Sequence, residues 1–367
     1  YFIVHENKYS INTLLFVIVY TYNTIFFIIA KLMYKKGIVG AVLFSVAFTA
    51  LSCCYISIPL NPLILIYSIL STQFLGAPSP VFITLLLYFI PYLLFCKSSL
   101  KSKCHIAILL LFILFSLALS ERRNNIHASD IKIAAIQVGL YFDMGGNTES
   151  FPLDIIKFLD KHRDVDLVVF SENALYGNRT EYNRKQTEKL IKILESHGEF
   201  DKTAFIFNFY GYKDINNIVS VFRFKNNEII NQKEALIPYV EKKGFFSYGD
   251  EASSEYFRVS PHMKKNTIFY NKRRISTFIC FDALFPSFFS YNDIVIVQSN
   301  YNKLNKGKGY ENTLRNGSLL GWFSHAMNSD LYVNVQDTGG SVIIKNRKGI
   351  NNDMLFYSMK TPFIIIE

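Results

Sequence analysis

Acidic residues are almost absent from the first third of this chain. Residues 1–120 hold one acid, Glu6, against seven basic residues: Lys8, Lys31, Lys35, Lys36, Lys97, Lys101 and Lys103. Of the 39 basic and 29 acidic residues in the chain, 32 and 28 therefore fall in 121–367, an ordinary balance of +4. The formal +10 belongs mostly to loops flanking apolar segments, where lysine sits beside lipid headgroups. Without a basic stripe in 121–367, no nucleic-acid partner is expected. Cysteine is scarce in the same region. Cys53, Cys54, Cys96 and Cys104 lie in or beside the apolar segments, and Cys280 stands alone after residue 120. That excludes an internal disulfide or a multi-cysteine metal site there. No His/Cys/Asp pair has zinc-ligand spacing, so neither metal nor cofactor is expected. A lone thiol is more often a small buried hydrophobe than a nucleophile.

What 1–120 does contain is apolar sequence, in five stretches at 11–30, 38–58, 60–76, 80–96 and 104–120. A bilayer core takes about 20 apolar helical residues. The pattern predicts an all-α, multi-pass membrane domain of four to five helices over 1–120, with 121–130 as linker. The stretch 60–76 is short and opens near Pro59 and Pro62, which suits a tilted or re-entrant element. Placing both lysine clusters in the cytoplasm requires that stretch not to cross fully, and then residue 121 emerges on the outer face.

From residue 131 the pattern changes to short apolar runs separated by polar helical windows. Strands are predicted over 131–137, 167–170, 204–209, 275–280 and 294–298, and helices over 152–161, 181–196 and 311–328. In the second helix Leu190, Ile193 and Leu194 carry the apolar spacing. Runs 218–224 and 228–231 flank Lys225-Asn226-Asn227 and read as a hairpin. Alternating strands and helices argue for a layered α/β domain over 131–367.

Three positions break the pattern. Glu172 directly follows the strand 167–170, Lys233 follows the hairpin, and Cys280 ends an apolar strand where a turn begins. The carboxyl edge of a sheet is where an α/β fold exposes a nucleophile. Any one of them alone is more often a surface or core residue. The order Glu, Lys, Cys resembles the nitrilase (carbon–nitrogen hydrolase) superfamily, which uses that triad in that order. Further segments match: IAAIQ ending at Gln137, Asn217 to Val221, the F-x-x-G-D turn at 246–250, Ser299-Asn300 after a strand, and Asp337-Thr338-Gly339-Gly340-Ser341. Within the superfamily the apolipoprotein N-acyltransferase branch is the most similar, because membrane segments precede the enzyme domain and KEALIPYVE resembles K-x-x-L-V-P-F-G-E. That likeness marks Glu241 as a second acid.

The resemblance implies a four-layer αββα sandwich on the extracytoplasmic face of a bacterial inner membrane. It implies Glu172, Lys233, Cys280 and Glu241 as catalytic residues, with Phe281, Asp282, Ser299 and Asn300 beside the substrate. It also implies a phospholipid acyl donor and a lipoprotein N-terminal amine as acceptor. Phe245, Phe246, Phe285, Phe288 and Phe289 are available to keep water from a thioester, although core packing explains each equally well.

The chain departs from that branch in several places. Phe281 replaces Tyr, Asp282 replaces Glu, residues 299–304 lack the aromatic lid, and Ser324-His325-Ala326-Met327 lacks the charged helix end. These departures suit a membrane-anchored amidase with another substrate, such as the nitrilase-like proteins of conjugal transfer. Two further readings stand beside it: a non-catalytic scaffold, and a Cys–His hydrolase drawing on His127, His162, His197, His262 or His325.

Overall fold

The computed structural model describes residues 9–52, 89, 92, 131–172, 181–197, 201–237, 241–242, 257–263, 265–285, 292–301, 310–326, 329–346 and 349–367. Near the N-terminus, α1 (Tyr9–Tyr34) and α2 (Ile38–Ser52) pack through Ala30, Phe44 and Phe48, with Phe26 edge-on to Phe48 at 4.8 Å between centroids. Outward they present Ile25, Phe27, Ile28, Leu32, Val39 and Leu43. The expected four- to five-helix membrane domain is not supported: among the described residues no helix is long and apolar enough to cross a membrane. α2 has only 15 residues. The stretches 60–76, 80–96 and 104–120, like the linker 121–130, lie outside the described residues apart from Phe89 and Tyr92.

The C-terminal unit is built on two sheets. The first holds β1 (Ile133–Ile136), β2 (Leu167–Phe170), β3 (Ala204–Tyr212), β4 (Ile215–Phe224), β5 (Asn227–Gln232) and β11 (Phe363–Ile366), in the order β11-β1-β2-β3-β4-β5. The second holds β6 (Ile268–Tyr270), β7 (Arg273–Ile279), β8 (Ile294–Ser299), β9 (Leu331–Gln336) and β10 (Val342–Lys345), in the order β10-β9-β8-β7-β6. Strands β1, β2 and β3 run parallel, as do β7, β8 and β9, and the edges are antiparallel. Glu172 and Cys280 follow the carboxyl ends of the parallel strands β2 and β7, the edge where an α/β fold carries its site.

Alternation along each strand explains the layering. In β3, Ala204 and Ile206 face the other sheet, where they meet Ile294, Ile296, Val333 and Val335. Phe205, Phe207 and Phe209 point the opposite way and stack at 5.6 Å centroid spacing. They pack under α4 (Phe151–Asp160) and α5 (Glu181–Glu195). α4 offers Phe151, Ile155 and Leu159, one residue per turn, while α5 buries Leu190, Ile191 and Leu194. Ile193, expected on that face, is only half-buried and Ile191 takes its place. On the far side of the second sheet, α6 (Tyr310–His325) and α7 (Asn352–Ser358) cover Phe278, Val295, Val297 and Val342 with Leu314, Trp322, Phe323 and Leu355. The described residues thus form a mixed α/β fold with helices packed on the outer faces of two sheets. A short α3 (Val138–Asp143) follows β1.

Strand boundaries move by a few residues from their predicted places, and the hairpin is longer than expected, turning at Lys225 with φ 53°. Strands β6, β9, β10 and β11 are additional to those predicted, although β10 (Val342–Lys345, VIIK) and β11 (Phe363–Ile366, FIII) are β-branched apolar runs of the kind that form strands. β11 forms by pairing with β1 across more than 200 residues of sequence, in the register Ile133↔Ile366.

Candidate active site

Glu172, Lys233 and Cys280 each sit where a strand runs out. β2 ends at Phe170, and Ser171 and Glu172 follow as buried residues. β5 ends at Gln232, and Lys233 follows, its N–H donating to Ile218 O at 2.8 Å. The Lys233 carbonyl accepts from Asn217 Nδ2 at 2.8 Å, so the buried asparagine sets where the lysine leaves the sheet. β7 ends at Ile279, and Cys280 turns the chain sharply with φ +48° into a 3-10 turn, Cys280–Leu284. A non-glycine residue in the left-handed region costs on the order of 1–2 kcal/mol. The rest of the sheet compels it, and the turn lifts the thiol out of the strand's alternation.

The Lys233 side chain is fully buried between two carboxylates. Its Nζ donates to Glu241 Oε1 at 2.7 Å and to Glu172 Oε1 at 3.2 Å. Glu241 spends its other oxygen on the Ile237 N–H at 2.9 Å. Burial works to lower the ammonium's pKa, but the two acids outweigh it and hold Lys233 charged, well above the usual lysine range. Burial raises Glu241, with Lys233 pulling the other way. Cys280 is buried, and burial together with the charge of Glu172 pushes its thiol up; Lys233 and the Asn300 N–H oppose the shift. The resting sulfur is therefore protonated and needs a base to react.

Phe281 lies in the 3-10 turn and packs edge-on to Phe285 at 5.0 Å. Asp282 does something the sequence did not announce. Its carboxylate accepts the N–H of Glu234, at 3.1 and 3.2 Å to its two oxygens, and the N–H of Ala235. The segment following Lys233 is thereby stapled to the turn carrying Cys280. Asn300 donates its side-chain amide to Asp337 at 2.9 Å, while Ser299 is wholly buried at the end of β8. Gln298, one residue earlier, reaches across the sandwich to donate to Phe170 O at 2.7 Å. It ties the strand leading to Glu172 to the opposite sheet.

Two buried tyrosines that sequence reasoning passed over share a core cluster with Cys280. Tyr210 is buried, and burial followed by the charges of Glu172, Glu241 and Cys280 raises its hydroxyl. Tyr301 is likewise buried, and burial and Cys280 raise it. The loop after β8 therefore does carry an aromatic, placed inside the core rather than over it. Its position directly after Ser299-Asn300 was the available signal. Of the candidate histidines, His325 stacks on Phe278 at 3.8 Å, His197 pairs with Asp160 at 3.2 Å, His162 lies against Phe158, and His262 is exposed. His127, and of the candidate phenylalanines Phe245, Phe246, Phe288 and Phe289, lie outside the described residues.

Asp282 also makes the site's stability depend on pH. Burial raises its pKa to about 6, against the pull of the half-buried Lys265 and the Ala235 N–H. A carboxyl that binds its proton more tightly when folded adds stability as pH falls from about 6 to about 4. Two units correspond to about 3 kcal/mol. Asp282→Asn lacks this gain. The stability deficit of the variant relative to the parent, read by urea unfolding, is expected to widen by about that amount between pH 7 and pH 4. A deficit that stays constant across the range would refute the assignment. His325 shifts the other way: burial, then Lys265, push it down to about 3.

No family model matches this chain, and no curated protein does. Its structure is similar to several solved ones. The glutamine-dependent NAD+ synthetase from Acinetobacter baumannii is 16% identical with a TM-score of 0.40, covering 64% of this chain and 45% of that one. The chain thus spans less than half the length of that protein. An amidase from Nesterenkonia sp. is 14% identical (TM-score 0.39; 61% of this chain, 86% of that one). Saccharomyces cerevisiae Nit3, a member of branch 10 of the nitrilase superfamily, is 14% identical (TM-score 0.38; 61% and 88%). One of these three neighbours is an amidase and one a nitrilase-superfamily member, and they do not show the acyltransferase branch. At such low values the likeness lends nothing to the site, which stands on its own geometry.

Proposed function

We propose that this chain is a membrane-associated acyltransferase that carries an acyl group on Cys280. The observation behind the proposal is the buried Glu172–Lys233–Glu241 cluster beside a thiol held on a strained turn. Glu172 takes the thiol proton as Sγ attacks an ester or amide carbonyl, and returns it to the oxygen or nitrogen that leaves. Lys233, kept charged and aimed by Glu241, stabilises the oxyanion with the Phe281 N–H. The carbonyl–heteroatom bond breaks and a thioester forms. An incoming amine then attacks the thioester, Glu172 takes the amine's proton, and the product amide leaves as the thiol is regenerated.

The donor in this reading is a phospholipid and the acceptor is the N-terminal amine of a lipoprotein. The outward-facing apolar side chains of α1 and α2 support a lipid environment, because so many together are costly in water. The setting is a bacterial inner membrane with the catalytic unit extracytoplasmic. A reporter fused at residue 125 is expected outside, and a cytoplasmic signal would end the lipoprotein hypothesis. The second reading is a membrane-anchored amidase, in which water opens the same thioester. It is favoured by the shorter Asp282 at its position, committed to Glu234 and Ala235 rather than to substrate.

Mass analysis of the Cys280 peptide after incubation with phospholipid vesicles tests the choice. A fatty-acyl adduct is expected. It should be discharged by a diacylglyceryl-cysteine peptide but only slowly by water, absent in Cys280→Ala, and formed about 10²–10⁴-fold more slowly in Glu172→Gln. No adduct, from a thiol still reactive toward a small electrophile, would replace the acyltransferase with the amidase. A thiol that reacts regardless of Glu172 would leave only the scaffold.

A further inference from the structure

Asp337 follows directly on β9 and is buried, and its carboxylate receives donors from three separate segments. Oδ1 accepts the Gly139 N–H at 2.8 Å and the Ser171 hydroxyl at 3.0 Å; Oδ2 accepts the Asn300 amide at 2.9 Å. Its main chain adds two more ties, donating to Ser299 O at 2.9 Å and accepting from Leu140 N–H at 2.8 Å. The fit is close: a Cβ on Gly139 would lie 2.4 Å from Oδ2, so only glycine admits the carboxylate there.

Two of the three donors adjoin reacting groups. Ser171 immediately precedes Glu172, and its hydroxyl also accepts the Val138 N–H at 3.1 Å. β7 and β8 pair in the register Ile279↔Gln298, so Asn300 leaves the sheet beside the turn of Cys280, where its backbone N–H favours the thiolate. One carboxylate therefore spans the carboxyl ends of β2, β8 and β9 and fixes both the general base's chain and the thiolate's hydrogen-bond donor. An amide in its place has a single acceptor oxygen, and its NH2 would confront one of the three donors.

We propose that Asp337 is a positioning residue for the Cys280 reaction, setting the reactivity of the thiol through Asn300 and the placement of Glu172 through Ser171. The proposal rests on Cys280 being the nucleophile, and needs no assumption about lipid or amide as substrate.

The rate of Cys280 alkylation by iodoacetamide from pH 6 to pH 10, read on the Cys280 peptide of the full chain, tests it. Asp337→Asn is expected to move the pH profile upward by about one unit and to slow labelling at neutral pH about tenfold. Asn300→Ala, which removes only the side-chain tie to Asp337 and keeps the backbone N–H, is expected to move it the same way by less. Asp154→Asn, which breaks a surface ion pair with Lys157 on α4, controls for general loosening and should leave the profile in place. A folded Asp337→Asn whose profile superimposes on the parent's overturns the proposal. Should that variant fail to fold, an unmoved profile in Asn300→Ala does the same. Labelling that proceeds unchanged in Glu172→Gln would instead fell the nucleophile reading itself, which separates the two failures.

Discussion

Lys233→Met is expected to destabilise the C-terminal unit by about 3–5 kcal/mol at pH 7, the range for breaking a buried ion pair from one side. The lysine has no exposed side-chain surface, and it stands between Glu172 and Glu241 with 3.2 and 2.7 Å contacts. Methionine fills the space but leaves two carboxylates facing each other with no cation. They can coexist only if at least one takes up a proton. Acidification should therefore restore stability to this variant, because its folded state binds protons that the unfolded chain has already released. Adding Glu241→Gln should recover part of the loss at neutral pH, since it removes one of the stranded charges. Urea unfolding at pH 7 and pH 5 measures all three. A Lys233→Met protein within about 1 kcal/mol of the parent at pH 7 would mean that water, rather than the two acids, surrounds the ammonium.

The second large effect is at Cys280, where stability and function should separate. Both Cys280→Ala and Cys280→Gly are expected to abolish the covalent adduct completely, because no other group in the cluster is a nucleophile of comparable strength. They should differ in stability. At φ +48° alanine keeps the Cβ strain of the cysteine, while glycine has no Cβ to strain. Glycine also loses more freedom on folding, which offsets part of the gain. Even so, the glycine variant should be at least as stable as the alanine one, a reversal of the usual order inside a core. Paired urea midpoints test this. An alanine variant clearly the more stable would show that the turn at Cys280 relaxes once the sulfur is gone, and that strain is not stored there.

Other features follow from local chemistry with little help from the rest of the chain. The period-two alternation of β3 and the four-residue spacing in α4 name their own buried faces. The strand-end positions of Glu172, Lys233 and Cys280 are visible because each polar or reactive side chain interrupts an apolar run just where turn residues begin. Glu241 is different: only the family resemblance marked it, and the structure supplies the reason in its 2.7 Å contact with Lys233.

What the sequence alone determined is therefore the layered α/β character of 131–367, most of its strands, and the three residues around which chemistry is proposed. Tertiary structure decided the rest. It alone pairs β11 with β1, gathers Tyr210 and Tyr301 into the core cluster that holds Cys280, commits Asp282 to the chain after Lys233, and makes Asp337 a junction of three strand ends. The physical reason is the range of the interaction. Side-chain periodicity and strand termination act over a few residues, so they are written locally. A buried carboxylate's role depends on which donors meet it, and those of Asp337 come from 37 to 198 positions away.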